Sequence, residues 1–171
     1  MGREIRRVPP HYEPPQRTDG RPGYQPQFDR RFEDAAAEWK REFTEWEAGE
    51  NLNNKAEDGS VYEFWEWSRD PPNRKYYRTY SDEDATWIAV FETVSEGTPV
   101  TPAYETKEEL VQYLAAKGDY WDQRRGTGGW EPEAARQFVE RGWAPSIIVS
   151  QTQAGIAMHA PRDGDIETGI V

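Results

Sequence analysis

Thr86-Trp-Ile-Ala-Val-Phe-Glu-Thr-Val94 decides the fold. A half-exposed strand alternates apolar with polar residues, and this stretch does not. Its β-branched and aromatic side chains fall on both alternating sets, which predicts a strand covered on both faces. Upstream, Val61-Tyr-Glu-Phe-Trp-Glu-Trp67 reads as a second strand. It would carry Val61, Trp65 and Trp67 with Glu63 on one face, and Tyr62 and Phe64 with Glu66 on the other. Downstream, Trp143-Ala-Pro-Ser leads into Ile147-Ile-Val149, a last short strand.

Helices fill the intervals. Phe32, Ala36, Trp39, Phe43 and Trp46 recur at spacings of four and three, one apolar stripe along a helix from Asp29 to Ala48. Asp29 is placed to cap it, Gly49 follows it, and Trp39 and Phe43 should be buried. Thr106-Lys-Glu-Glu109 spells a capping box ahead of Leu110, Val111 and Leu114. Pro132 suits the first turn of a third helix, through Ala135, Phe138 and Val139 to Gly142. Arg125–Gly129 lacks the Lys and Ser/Thr of a phosphate loop and reads as a turn. No internal repeat is present.

The ends look different. Residues 1–28 contain Pro9, Pro10, Pro14, Pro15, Pro22 and Pro26 and no periodic apolar face. Proline removes backbone donors and keeps its predecessor extended. The expected organisation is therefore a Pro/Arg-rich arm over 1–28, a compact α+β domain over 29–150, and a C-terminal tail over 151–171. The α+β domain should hold a small, mainly antiparallel sheet of three to five strands packed on two or three helices. Deleting residues 1–24 should then leave a folded protein.

Composition limits function. The chain has 171 residues, 35% hydrophobic and 13% aromatic with eight Trp, and a mean hydropathy of −1.05. So many aromatics argue for a small Trp-rich core rather than disorder. With no Cys, disulfides, thiol nucleophiles and zinc–thiolate sites are excluded. His11 and His159 are the only histidines. No metal and no cofactor is expected. The net charge of −11 is uneven: seven Arg and four acids give +3 over residues 1–31, and 14 basic and 28 acidic residues give −14 over the rest. The acidic body should repel nucleic acid and anionic membrane and suit a basic protein surface. No apolar run reaches the roughly 18 residues a membrane span needs, and no apolar stretch follows the basic N-terminus as in a secretory signal. The expected compartment is cytoplasm.

Three sets of residues are candidate sites. The loop after the decisive strand, Thr93-Val-Ser-Glu-Gly-Thr-Pro-Val-Thr-Pro102, offers Ser95, Glu96, Gly97 and Thr98. Its glycine permits close backbone approach; the same residues also make a rigid two-proline turn. No histidine lies nearby to serve a Ser nucleophile. Trp65, Trp67, Tyr76, Tyr77 and Arg78, with Trp143, form an aromatic–basic set. They are suited to anchor a protein or to stack a base, or to form and cover the core. Arg3, Arg6 and Arg7 are candidate arm contacts. Glu63 and Glu66, three apart on a strand, would point to opposite faces and make a poor catalytic pair.

Arg3-Glu-Ile-Arg-Arg-Val-Pro9, the Phe91–Pro102 stretch with Glu105-Thr-Lys-Glu-Glu-Leu110, and Gly142-Trp-Ala-Pro-Ser146 occur in that order. Together they resemble a widespread group of small phage and prophage proteins over roughly residues 1–150. Some relatives carry a cysteine-rich, zinc-ribbon-like insertion where this chain has its Trp-rich helix, so no role of that module carries over. The resemblance implies viral origin and names no reaction. The expected function is that of a phage accessory protein in the infected host. It would bind a host or phage protein, for instance to inhibit a defence system such as CRISPR. A virion or assembly component, and a small-ligand or nucleotide-binding protein built on the Ser95–Pro102 loop, remain alternatives.

Overall fold

The computed structural model describes residues 2–50, 57–68, 70–94, 97–144, 148–152 and 155–159, with backbone alone for Trp67 and 148–159. The chain divides into two units: residues 1–27 with 80–171, and residues 28–79. The fold is α+β, as the element pattern predicts.

The decisive stretch is β4 (Trp87–Glu92). It pairs antiparallel with β1 (Arg3–Val8), from Arg3 opposite Glu92 to Val8 opposite Trp87. On its other side β1 pairs with β5 (Trp143–Ala144). The sheet order is β4-β1-β5, so the middle strand comes from the residues expected to form an arm. That expectation is corrected. Residues 1–28 are not a separate segment, and the boundary at 28 does not divide arm from domain. The second edge of β4 is covered by residues 98–104. The Val90 amide gives its proton to Thr101 Oγ1 (3.0 Å). The amides of Ile88 and Glu92 donate to the carbonyls of Tyr104 (2.9 Å) and Thr98 (2.8 Å).

Both faces of β4 are buried for the reason its composition gives. One face sets Val90 among Val100, Leu110, Val111, Leu114, Ala135, Phe138 and Val139, with Ile5 and Ile88 beside them. The other packs Ala89 and Phe91 with Val8, closed by Tyr12, Tyr80 and Trp87. Each such large apolar side chain contributes about 1.5–3 kcal/mol when buried.

The first face is made by α3 (Lys107–Lys117) and α5 (Pro132–Arg141). Thr106 and Glu109 form the expected capping box of α3. Pro132 opens α5 and Gly142 ends it in the left-handed conformation. Between them lies α4 (Tyr120–Arg125), which the periodicity does not reveal. Asp119 Oδ1 accepts from the amides of Trp121 (2.7 Å) and Asp122 (3.1 Å), while Asp122 accepts from the Asp119 amide. Beyond β5, β6 (Ile148–Thr152) and β7 (Gly155–His159) form an antiparallel hairpin. Part of the expected tail is thus a strand.

In the second unit, β2 (Phe28–Arg31) pairs in parallel with β3 (Tyr77–Arg78). The helix α1 therefore starts later than expected, at Phe32, and runs to Glu47. Asp29 is not its cap, because residues 28–31 are drawn into the β pair, where Phe28 packs on Tyr77 at 5.1 Å. Trp39, Phe43 and Trp46 do form one stripe. They are half-buried, surrounding the buried Phe64 at 5.2, 5.1 and 5.9 Å.

Phe64 belongs to α2 (Phe64–Trp67), a single helical turn where the alternation predicts a strand. Two effects favour the turn. Glu63 and Glu66 satisfy its amides reciprocally as a capping box. Coiling also lets Phe64 enter the aromatic cluster, whereas an extended chain would split its neighbours between two faces. Glu63 and Glu66 are thereby helix caps.

Candidate functional site

The arm arginines were expected to reach a partner. Strand β1 turns them to other uses. Arg3 and Glu92 share one sheet face by register, and Asp119 stands at the head of α4. Arg3 Nε donates to Asp119 Oδ2 at 2.7 Å, Nη2 approaches the same oxygen at 2.6 Å, and Nη1 reaches Glu92 Oε1 at 3.3 Å. The three side chains are only 8%, 1% and 4% exposed. Buried charge is tolerated only when paired in this way. The triad ties three remote segments together, and Arg3 is corrected from a partner contact to an internal link.

Arg6 is likewise held inside its unit. It donates from Nε to Glu4 (2.6 Å) and from Nη1 to the Gln27 carbonyl (2.6 Å), and lies over the Phe91 ring at 4.8 Å. Of the three arginines, Arg7 is the exposed one.

The loop candidates fall against this cluster. Gly97 has φ +90°, and a Cβ there would run into the Arg6 guanidinium and the Gln27 carbonyl. Its own carbonyl accepts from the Gln27 amide at 3.0 Å. The close approach read from the glycine is real, but the chain itself fills it. Thr98 is buried, with its carbonyl spent on the Glu92 amide. Ser95 and Glu96 lie outside the described residues. Replacing Gly97 by alanine should cost about 1–3 kcal/mol through overpacking, with further strain from the positive φ. A fall in melting temperature of roughly 5–10 °C in a calorimetric scan is the expected reading; an unchanged melting point would contradict the packing described.

The aromatic set separates into used and unused members. Tyr77 packs on Phe28 and Phe32. Arg78 faces Asp29 at 3.9 Å with a side chain 15% exposed. Both serve the second unit internally. Tyr76 is at the edge of exposure. Of Trp67 only the backbone is described.

Trp65 is different. It stands 71% exposed on the outer side of α2, while its neighbour Phe64 is 7% exposed. Val61 and Tyr62, just before the turn, are also exposed. The turn is fixed from behind: the Trp46 indole donates to the Tyr62 carbonyl (2.9 Å), and the Ser68 hydroxyl donates to Glu42 (3.1 Å). A large apolar group on a tethered turn, left in water beside Val61 and Tyr62, is the form of an anchor. Alternation points to Trp65 but treats Val61 and Tyr62 as strand neighbours on opposite faces. Their common exposure becomes visible only with the helical turn.

Acidic residues surround these side chains in sequence. Residues 42–66 contain eight Asp or Glu and one Lys. In the other unit, Trp143 on β5 is also exposed. Among the described residues no group of three or more His, Asp or Glu could hold a metal ion, and no helix is long and apolar enough to cross a membrane. No family model, curated protein or solved structure matches the chain.

Proposed function

We propose that the protein is a phage-encoded accessory protein that acts by binding another protein in the infected host cell. Trp65 is the anchor and Val61 and Tyr62 are its flank. The carrying observation is the exposure of Trp65 on a turn whose inner side is committed to its own unit through Phe64. Tryptophan is over-represented among residues that dominate binding energy. The acidic run from Glu42 to Glu66 selects a partner whose contact surface is basic. A nucleic-acid-binding surface meets that description, and blocking one is how such a protein would disarm a defence system of the CRISPR type. The segment resemblance to phage and prophage proteins supports the same reading.

The test is capture from phage-infected cells followed by binding measurements on the purified partner. The captured protein should have a basic contact surface, and its affinity should fall as salt rises from about 0.05 to about 0.5 M. Trp65→Ala should weaken binding by roughly 30-fold or more, as expected for a hot-spot truncation of about 2 kcal/mol. Because Trp65 is exposed, the variant should melt like the parent. Equal binding by parent and variant would remove Trp65 from the interface.

A further inference from the structure

From Gly142 to Pro161 the chain has no Asp, Glu, Lys or Arg across 20 residues, whereas its next longest such run, Gly97 to Tyr104, has 8. At the chain's 31% charged composition, about six charges would fall in a window of that length. This run contains β5, with Trp143 56% exposed, and the whole of the β6–β7 hairpin. Ile148 lies opposite His159, Val149 opposite Met158, Ser150 opposite Ala157, Gln151 opposite Ile156 and Thr152 opposite Gly155.

Among the described residues, β6 and β7 pair with each other in a two-stranded sheet of their own, separate from β4-β1-β5. Such a hairpin is marginal in water, and independent stability begins at about three strands. Each outer edge presents a row of backbone donors and acceptors, which natural proteins blunt with charges, proline or bulges. Ile-Val-Ser-Gln-Thr and Gly-Ile-Ala-Met-His carry no charged residue and no proline, and their register is continuous.

We propose that the hairpin is a self-association surface: the outer edge of β6 pairs antiparallel with β6 of a second copy, giving a four-stranded sheet across a two-fold axis. Charge selects the occupant. The chain carries −11, so two copies repel wherever acidic faces meet. The charge-free run is where they can touch without opposing or desolvating carboxylates. A basic partner, by contrast, gains nothing electrostatically from a neutral face. Strand β6 is the pairing edge because Ile148, Val149 and Thr152 are β-branched, whereas β7 contains Gly155, Ala157 and Met158. An antiparallel pair of identical strands has two-fold symmetry, the commonest form of soluble homodimer. In full register, Ser150 at the centre of β6 meets its own copy.

Sedimentation of the full chain tests this, independently of the Trp65 reading. The parent should be a dimer at micromolar concentration. Its association should strengthen as salt screens the repulsion between acidic copies, opposite to the salt response expected for the basic partner. Ser150→Glu and Ser150→Lys should each weaken the dimer at least about tenfold, because like charges directly opposite are destabilising. Mixing the two variants should restore association as a heterodimer, a recovery that misfolded variants would not give. Trp65→Ala should leave the dimer unchanged. The proposal is overturned by a parent that stays monomeric up to roughly 0.1 mM, a concentration far above that of any stable dimer. It is equally overturned by a dimer that weakens with salt, or by mixed Ser150 variants that fail to associate.

Discussion

Removal of residues 2–8 should leave the unit of residues 1–27 and 80–171 unable to fold. This deletion takes out the middle strand of the sheet, so β4 loses its partner from Trp87 to Glu92 and β5 loses its contact with Arg3 and Glu4. The fully buried Val8 and the core-lining Ile5 leave with it. Glu92 and Asp119 stay buried without their cation. Apolar burial alone accounts for about 3–6 kcal/mol from those two side chains. Two buried carboxylates deprived of their arginine and the bared edge of β4 raise the loss to the whole stability of a typical domain, about 5–15 kcal/mol. Circular dichroism and a thermal scan should show no cooperative transition for residues 80–144. A truncated chain that melts within a few degrees of the parent would restore the independent arm that the proline content suggests.

Arg3→Met should be the most damaging single substitution. It keeps the stem's apolar volume but removes both ion pairs, leaving Glu92 and Asp119 with side chains 4% and 1% exposed. Breaking one partner of a buried pair costs about 3–5 kcal/mol, because the remaining charge is stranded in low dielectric. In a chain of this size that lowers the melting temperature by roughly 10–15 °C. Arg3→Lys should fall between parent and Arg3→Met, since a point charge cannot serve two carboxylates through a planar fork. Denaturant midpoints for the three proteins give the ranking. If Arg3→Met matches the parent, the triad carries no net stability.

How much of this was legible follows from the residues. The caps at Thr106 and Glu109, the entry at Pro132 and the exit at Gly142 are local chemistry, and the helices lie where those residues put them. Strand β4 was legible because nine residues apolar on both faces have few other homes. Strand β1 was not. Arg3-Glu-Ile-Arg-Arg-Val8 has four charges in six residues and reads as solvent-facing. It becomes a middle strand because those charges find partners far along the chain, 89 and 116 residues away for Arg3. No local window contains that information.

The 61–67 stretch failed differently. Its apolar spacing fits a strand and a helical turn equally, and the decision rests with Trp39, Phe43 and Trp46 around Phe64. The loop glycine permits a close approach, and Arg6 and Gln27 make it. Whether a ligand or the chain itself filled the space depended on Arg6 and Gln27, which proximity in sequence does not reveal.

The place of β1 in the sheet also sets an order of events at the ribosome. Arg3 is made 141 positions ahead of its sheet partner Ala144. At 5–20 residues per second this is a delay of about 7–28 s. Residues 28–79 form a contiguous unit and can be complete within that interval. Strand β1 cannot: its first neighbour, β4, begins only at Trp87. Until β4 has been made it is an unpaired strand on a nascent chain, the state in which apolar strands aggregate. Three arginines in six residues keep it hydrated through the wait. The charges that disguise the strand in the sequence thus also act as its gatekeepers during synthesis.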